Sequence, residues 1–283
     1  MQWGGVMAGE QTGKLIRTIT VTSGKGGVGK TNVVANLAIA FRRLGKEVMI
    51  FDADLGLSNI DVLLNLAPKY NIQHVLRGEK SLKDVIVEGP YGIKILPASS
   101  GVQELTELDE FQRLRLLEEF DAYDGNIDVL LVDTGAGISS NVAFFCVASQ
   151  EIIVVTSPEP TALTDAYALI KVLFTRYQEK DFRILVNSAK NETEAFEVFK
   201  KLSVAAERFL NISLDYLGFI PIDSSIQKAV RLQKAFSEIY PSSNASLNLL
   251  EIATKLNRDS THKVKGTLQF FLGNLLKGAT ALD

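Results

Sequence analysis

Apolar residues in this chain fall into two kinds of run, and the two alternate along its length. Short, almost uninterrupted stretches such as Val129-Leu130-Leu131-Val132 and Ile152-Ile153-Val154-Val155 read as strands buried on both faces. Such strands are expected at residues 16–23, 47–52, 92–97, 127–133, 151–156, 182–187 and 214–220. Between them, apolar residues recur at intervals of three and four. Val33, Val34, Leu37, Ala38, Phe41 and Leu44 mark a helix over 31–44, and similar patterns cover 107–120, 161–177, 192–209, 224–235 and 244–257. Strands and helices in alternation predict an α/β fold. It is a doubly wound, mainly parallel sheet with helices on both faces and sites at the carboxyl ends of the strands.

The pattern changes at both ends. Residues 1–15 are Gly-rich and polar and are expected to be a flexible lead into the domain at 16–258. Residues 259–263 read as a linker to a separate tail, making 259–283 a third segment. Within that tail Val264, Leu268, Phe271, Leu272 and Leu275 share one helical face, Leu276 flanks it and Phe270 lies off it. With Lys263, Lys265 and Lys277 nearby, this face suits an anionic membrane surface; an ordinary helix docked on the core has the same pattern.

Composition narrows the function classes. A hydrophobic content of 46% and charged content of 22% fit a chain with a full core. A net charge of −3 gives no general attraction to nucleic acid. Cys146 is the sole cysteine, which excludes an internal disulfide and a four-cysteine metal site within one chain. The N-terminus lacks the apolar core of a secretory signal, and no run reaches 18 apolar residues, so a cytoplasmic protein is expected.

The chemistry concentrates after the first strand. Gly24-Lys25-Gly26-Gly27-Val28-Gly29-Lys30-Thr31 fits the phosphate-loop pattern G-x-x-x-x-G-K-[ST], between a β-branched strand and a helix as that motif requires. Glycines let backbone N–H groups approach phosphate oxygens, and the following helix adds its positive end. Lys30 is placed to reach the outer phosphates and the Thr31 hydroxyl to hold Mg²⁺. Two further strands end in carboxylates: one runs into Asp52-Ala53-Asp54-Leu55-Gly56, the other into Asp133-Thr134-Gly135-Ala136-Gly137. Carboxylates there can support Mg²⁺ or orient water, or they can simply cap helices.

Lys25-Gly26-Gly27-Val28-Gly29-Lys30-Thr31 resembles the deviant Walker A loop of the MinD/ParA ATPases. Asp52–Asp61 resembles that family's first switch and Asp133–Gly137 its second. Thr31-Asn32, Asn36-Leu37-Ala38 and D-A-D-L-G-L-S-N are similar to the FlhG/FleN branch, which controls flagellar number and placement. The resemblance implies a homodimer that closes around ATP and Mg²⁺. In it, Lys25 crosses to the partner's phosphates and Lys30 serves its own. Asp54 positions water and joins Thr31 and Asp133 as support for the metal. Gly24, Gly26, Gly27, Val28, Gly29 and Asn32 belong to the nucleotide site by the same likeness. Asn187 matches the adenine-reading asparagine, and Pro221, Ile222 and Asp223 match the segment on the base's other side. The tail resembles a membrane-targeting segment, placing Leu268, Phe271, Leu272, Leu275 and Leu276 on lipid at the inner face of the cell membrane. Implied partners are an FlhF-type GTPase, flagellar C-ring proteins and a FleQ-type transcription activator.

The N-terminus departs from that branch. Many members carry D-Q-A-x-x-L there, and only Gln11 to Leu15 is faintly similar, so GTPase stimulation through this segment is not expected. Three other readings follow from the same loop. A ParA-like partition ATPase needs a basic DNA-binding surface, which the acidic balance opposes. An iron–sulfur carrier of the superfamily needs paired cysteines. A ligase that phosphorylates a small carboxylic acid needs its own substrate pocket and leaves the tail unexplained.

Overall fold

A computed structural model of the protein describes residues 15–56, 58–98, 107–259, 265 and 268–273. Eight strands form one sheet: β1 (Arg17–Ser23), β2 (Val48–Ala53), β3 (Val87–Glu88), β4 (Lys94–Leu96), β5 (Val129–Ala136), β6 (Glu151–Thr156), β7 (Phe182–Ala189) and β8 (Asp215–Pro221). Their order is β3-β4-β2-β5-β1-β6-β7-β8, parallel throughout except that β3 runs antiparallel to β4. The chain builds one side of β1 first and then the other, so a crevice opens at the carboxyl end of β1, where the phosphate loop lies.

Alternating residues of each strand feed two layers. Ile19, Val21, Ile50, Leu131 and Ile153 pack against α1 (Lys30–Arg43) and α11 (Asn244–Arg258). On the opposite face Met49, Phe51, Leu130 and Val132 meet α5 (Glu110–Asp121), and Ile152, Val154, Ile184 and Val186 meet α7 (Pro160–Tyr177) and α8 (Glu192–Leu210). This two-sided burial is why the strands read as continuous apolar runs. The predicted helix at 107–120 starts at Glu110, because Asp109 and Gln112 form a capping box there. The predicted helix at 224–235 ends early, as α9 (Ser224–Arg231). Five α-helices were not foreseen: α2 (Ile60–Leu63), α3 (Ile72–Leu76), α4 (Leu82–Val85), α6 (Ser140–Ala148) and α10 (Phe236–Ile239). The first three are single turns, and α6 is buried on nearly every side, so it shows no apolar stripe.

The tail departs from its predicted helix. Phe270 and Phe271 are buried in the same core as α5, and Gln269 is buried too. The Phe120 ring lies 4.7 Å from Phe270 and 5.5 Å from Phe271. The Phe270 N–H donates to the Ala148 carbonyl at 3.0 Å, and Lys265 Nζ reaches Glu179 Oε2 at 2.8 Å. Phe271 has φ +55°, so an unbroken helix through 264–277 is absent from this conformation. Of the face expected to meet lipid, Phe271 packs against protein in this conformation, with Phe270 beside it. Leu272 is half-buried and Leu268 is exposed, while Leu275 and Leu276 lie outside the described residues.

Candidate nucleotide site

Gly27 and Gly29 adopt φ +80° and +88°, in the left-handed region that favours glycine, and so turn the loop between β1 and α1. Gly24 is required for a different reason: a Cβ there would sit 2.1 Å from the backbone of Asp165 in α7. The loop therefore rests directly on the start of α7.

The two loop lysines have separate partners. Lys30 Nζ pairs with Asp133 Oδ1 at 2.8 Å, and both groups are buried. Lys25 Nζ reaches Glu159 Oε2 at 2.5 Å and Thr161 Oγ1 at 2.8 Å near the protein surface. Glu159 and Thr161 were missed in the sequence. They follow the carboxyl end of β6, so the strand-end rule applied to Pro158-Glu159-Pro160 flags them.

The acidic loops meet across the cavity. Asp54 lies beside Gly135, whose Cβ, if present, would be 3.3 Å from Asp54 Oδ1. Asp52 acts as an anchor: its Oδ2 accepts from Ser58 Oγ at 2.9 Å and from the N–H groups of Asn59 and Ile60 at 3.2 Å. Burial, and then the Asp133 charge, push the Asp52 carboxyl up to about 7 despite these bonds. The folded state thus holds the proton more tightly than an ordinary carboxyl at 3.8. The associated stability is fullest below that value and is lost as pH rises through about 7. Without nucleotide, the thermal midpoint should be lower at pH 8 than at pH 6, and Asp133→Asn should narrow the gap. Equal midpoints in the unaltered protein would contradict this account of Asp52.

A cavity of about 830 Å³ opens over the loop, with Lys30, Thr31, Asn32, Asp54, Asn141 and Gln233 in its walls. That size suits a small-molecule ligand. A smaller recess of about 140 Å³ adjoins the loop between Asn187, Ser188, Ile220, Ile226 and Phe236. Asn187 Nδ2 donates to the Val28 carbonyl at 2.7 Å, so it touches the loop directly. Across the turn after β8, Asp223 Oδ1 accepts from Ser225 N at 2.8 Å and Oδ2 from Ala245 N at 3.2 Å, while Ile222 is exposed. Partial burial raises the Asp223 carboxyl, but those bonds and Lys228 outweigh it and leave the group below its ordinary range. Ser188, Ile226 and Phe236 line the recess without having been singled out in the sequence, whereas Pro221, Ile222 and Asp223 are not in its lining.

The donor set suits Mg²⁺ with a nucleoside triphosphate. Among the described residues no group of three or more His, Cys, Asp and Glu gathers for a metal. Magnesium typically takes one or two carboxylates together with substrate phosphates and water. Thr31, Asp54 and Asp133 offer that kind of partial set, and the buried Lys30 ammonium offers the cation for phosphate oxygens.

The fold and loop define a P-loop nucleotide-binding protein with a second lysine in its loop. Residues 16–186 match the AAA domain family. The Antiactivator FleN of Pseudomonas aeruginosa is 45% identical over 263 residues, covering 93% of this chain and 94% of that one. The Flagellum site-determining protein YlxH of Helicobacter pylori is 34% identical over 264 residues, covering 92% and 89%. The septum site-determining protein MinD of Pyrococcus horikoshii, solved with Mg-ADP, matches the fold with a TM-score of 0.72 at 24% identity, covering 89% of this chain and all of that one. The chain belongs to the MinD-like ATPases, in the branch that contains FleN and YlxH.

Proposed function

We propose that this ATPase is a dimerisation and membrane-binding switch that regulates the number, placement and assembly of flagella. The observation that carries the reading is the separation of the two loop lysines. Both lysines line the cavity, but Lys30 is paired with the buried Asp133, whereas Lys25 at the rim is paired with the exposed Glu159. A lysine so placed can leave its carboxylate and add charge to a site completed by a second copy. Bound ATP with Mg²⁺ supplies the phosphoanhydride bond and the divalent charge. Thr31, Asp54 and Asp133 support the metal, Lys30 turns from Asp133 to the phosphates, and Asp54 orients the attacking water. Asn187, with Pro221, Ile222 and Asp223 beyond it, frames the base. Turnover is slow until a partner stimulates it.

The product of the cycle is a conformational state. In the single chain Phe270 and Phe271 are sheltered against Phe120. ATP-driven pairing frees the tail, and two tails bind a membrane far more firmly than one. No helix among the described residues is long and apolar enough to cross a membrane, so the association is peripheral. The dimer on the inner face of the membrane addresses an FlhF-type GTPase, flagellar C-ring proteins and a FleQ-type activator; nucleic acid is not among its partners.

Sedimentation with anionic liposomes, and separately with plasmid DNA, in ATP and in ADP tests the cycle. Liposome binding that requires ATP and disappears when the chain is cut after Ser260 is the expected result. Pelleting with DNA alone would replace the proposal with a partition role.

A further inference from the structure

Helix α9 closes at Leu232, and Gln233 then enters the left-handed region with φ +52°. Its N–H donates to the Val230 carbonyl at 3.0 Å, and the Lys234 N–H returns to Ala229 at 3.1 Å. This is the ordinary way for a helix to end, but the position favours glycine or asparagine. A glutamine there is disfavoured by its backbone.

The side chain reaches across the mouth of the nucleotide cavity. Gln233 Nε2 donates to the Val62 carbonyl at 2.9 Å, a contact between residues 171 apart in sequence. Val62 lies in α2, the single turn that follows the Asp52–Asp54 loop, and both Val62 and Gln233 border the cavity. That carbonyl otherwise meets only a long contact from Asn65 N at 3.4 Å, as expected at the end of so short a helix.

The two sides of the bridge are anchored unequally. On the Gln233 side, Phe236 is buried in the core, and Ser237 N donates to Asn36 Oδ1 of α1 at 2.7 Å. Asn36 also binds the Asn32 carbonyl in the first turn of that helix at 2.8 Å. The platform beneath Gln233 is thus continuous with the phosphate-loop helix. On the other side, α2 has one turn, two buried residues (Ile60 and Leu63) and the Asp52 cap at its start.

We propose that Gln233 is a positioning residue whose amide ties the first acidic loop to the phosphate-loop helix and holds that wall of the cavity closed over bound nucleotide. The inference rests on the cavity being the nucleotide site. With the tie intact, α2 cannot swing away without breaking a hydrogen bond, so the residue sets how fast nucleotide leaves. It also keeps the segment carrying Asp54 in one register.

Two substitutions separate the tie from the backbone. Gln233→Asn keeps an amide and suits the left-handed conformation, but is one methylene too short. Gln233→Glu keeps the length and removes the donor. Dissociation of a methylanthraniloyl-labelled ATP and ADP from the full chain should be roughly three- to tenfold faster in both, the range one such bond supplies. Hydrogen exchange over residues 58–66, measured without nucleotide, should accelerate by a similar factor while the thermal midpoint of Gln233→Asn stays at or above that of the unaltered chain. Unchanged dissociation and exchange in both variants would overturn the inference. Failure of the unaltered chain to bind either nucleotide would instead remove the nucleotide site, and the exchange measurement would still decide whether the tie exists.

Discussion

Lys25→Ala should lower ATP turnover by roughly two to three orders of magnitude, the loss seen when a charge that stabilises the transition state is removed. ATP binding to the single chain should stay within a few-fold, because Lys30 and the loop backbone remain. The fold should be little affected. Lys25 and Glu159 form their pair with side chains 34% and 66% exposed, and an exposed pair contributes about 0–1 kcal/mol. Lys30→Ala is expected to behave differently. It leaves the Asp133 carboxylate buried without its cation, a loss of about 3–5 kcal/mol, and it removes ATP binding. Phosphate release at saturating ATP, titration with a fluorescent nucleotide and a melting curve distinguish the two. If Lys25 acts across an interface, turnover per chain also rises with chain concentration. Turnover per chain that does not vary with concentration would return Lys25 to its own subunit.

The second large effect concerns the tail. Glu179→Gln should make liposome binding in ADP resemble binding in ATP. Lys265 and Glu179 are both largely buried at the far end of α7, and removing one charge of such a pair costs about 3–5 kcal/mol by stranding the other. The apolar residues of the tail are untouched, so its affinity for lipid is preserved while its docking is weakened. Trypsin cleavage at Lys265 should rise in parallel. A variant that still sediments only in ATP, with Lys265 still protected, would mean that this ion pair does not control the tail.

Much of this arrangement was legible in the sequence, and the exceptions have physical causes. The parallel strands announced themselves because both faces are buried. Gly24 to Thr31 identified the loop by its spacing and flanks, whereas Asp133, expected at a strand end, lies inside β5, which continues to Ala136. The single-turn helices α2, α3 and α4 are too short for any periodicity, and α6 hides its period by being apolar all round. Glu159 was invisible as a partner of Lys25 because 134 residues separate them. The tail was legible as apolar but not as docked. An apolar face fits a membrane or a core equally well, and Phe270, off the helical face, is buried because the backbone there is not helical.

Phe271 gives that last point a mechanical meaning. With φ at +55° the residue cannot belong to a right-handed helix, so a helix passing through it requires this one torsion to change sign. The sheltered tail and an amphipathic tail are then two different folds of the same residues. No intermediate can keep Phe271 against Phe120 in this geometry while presenting a continuous helical face to lipid. Docking of Phe271 against Phe120 and a continuous helix through the same residue therefore exclude each other, so any helical form of this segment must first give up that ring contact.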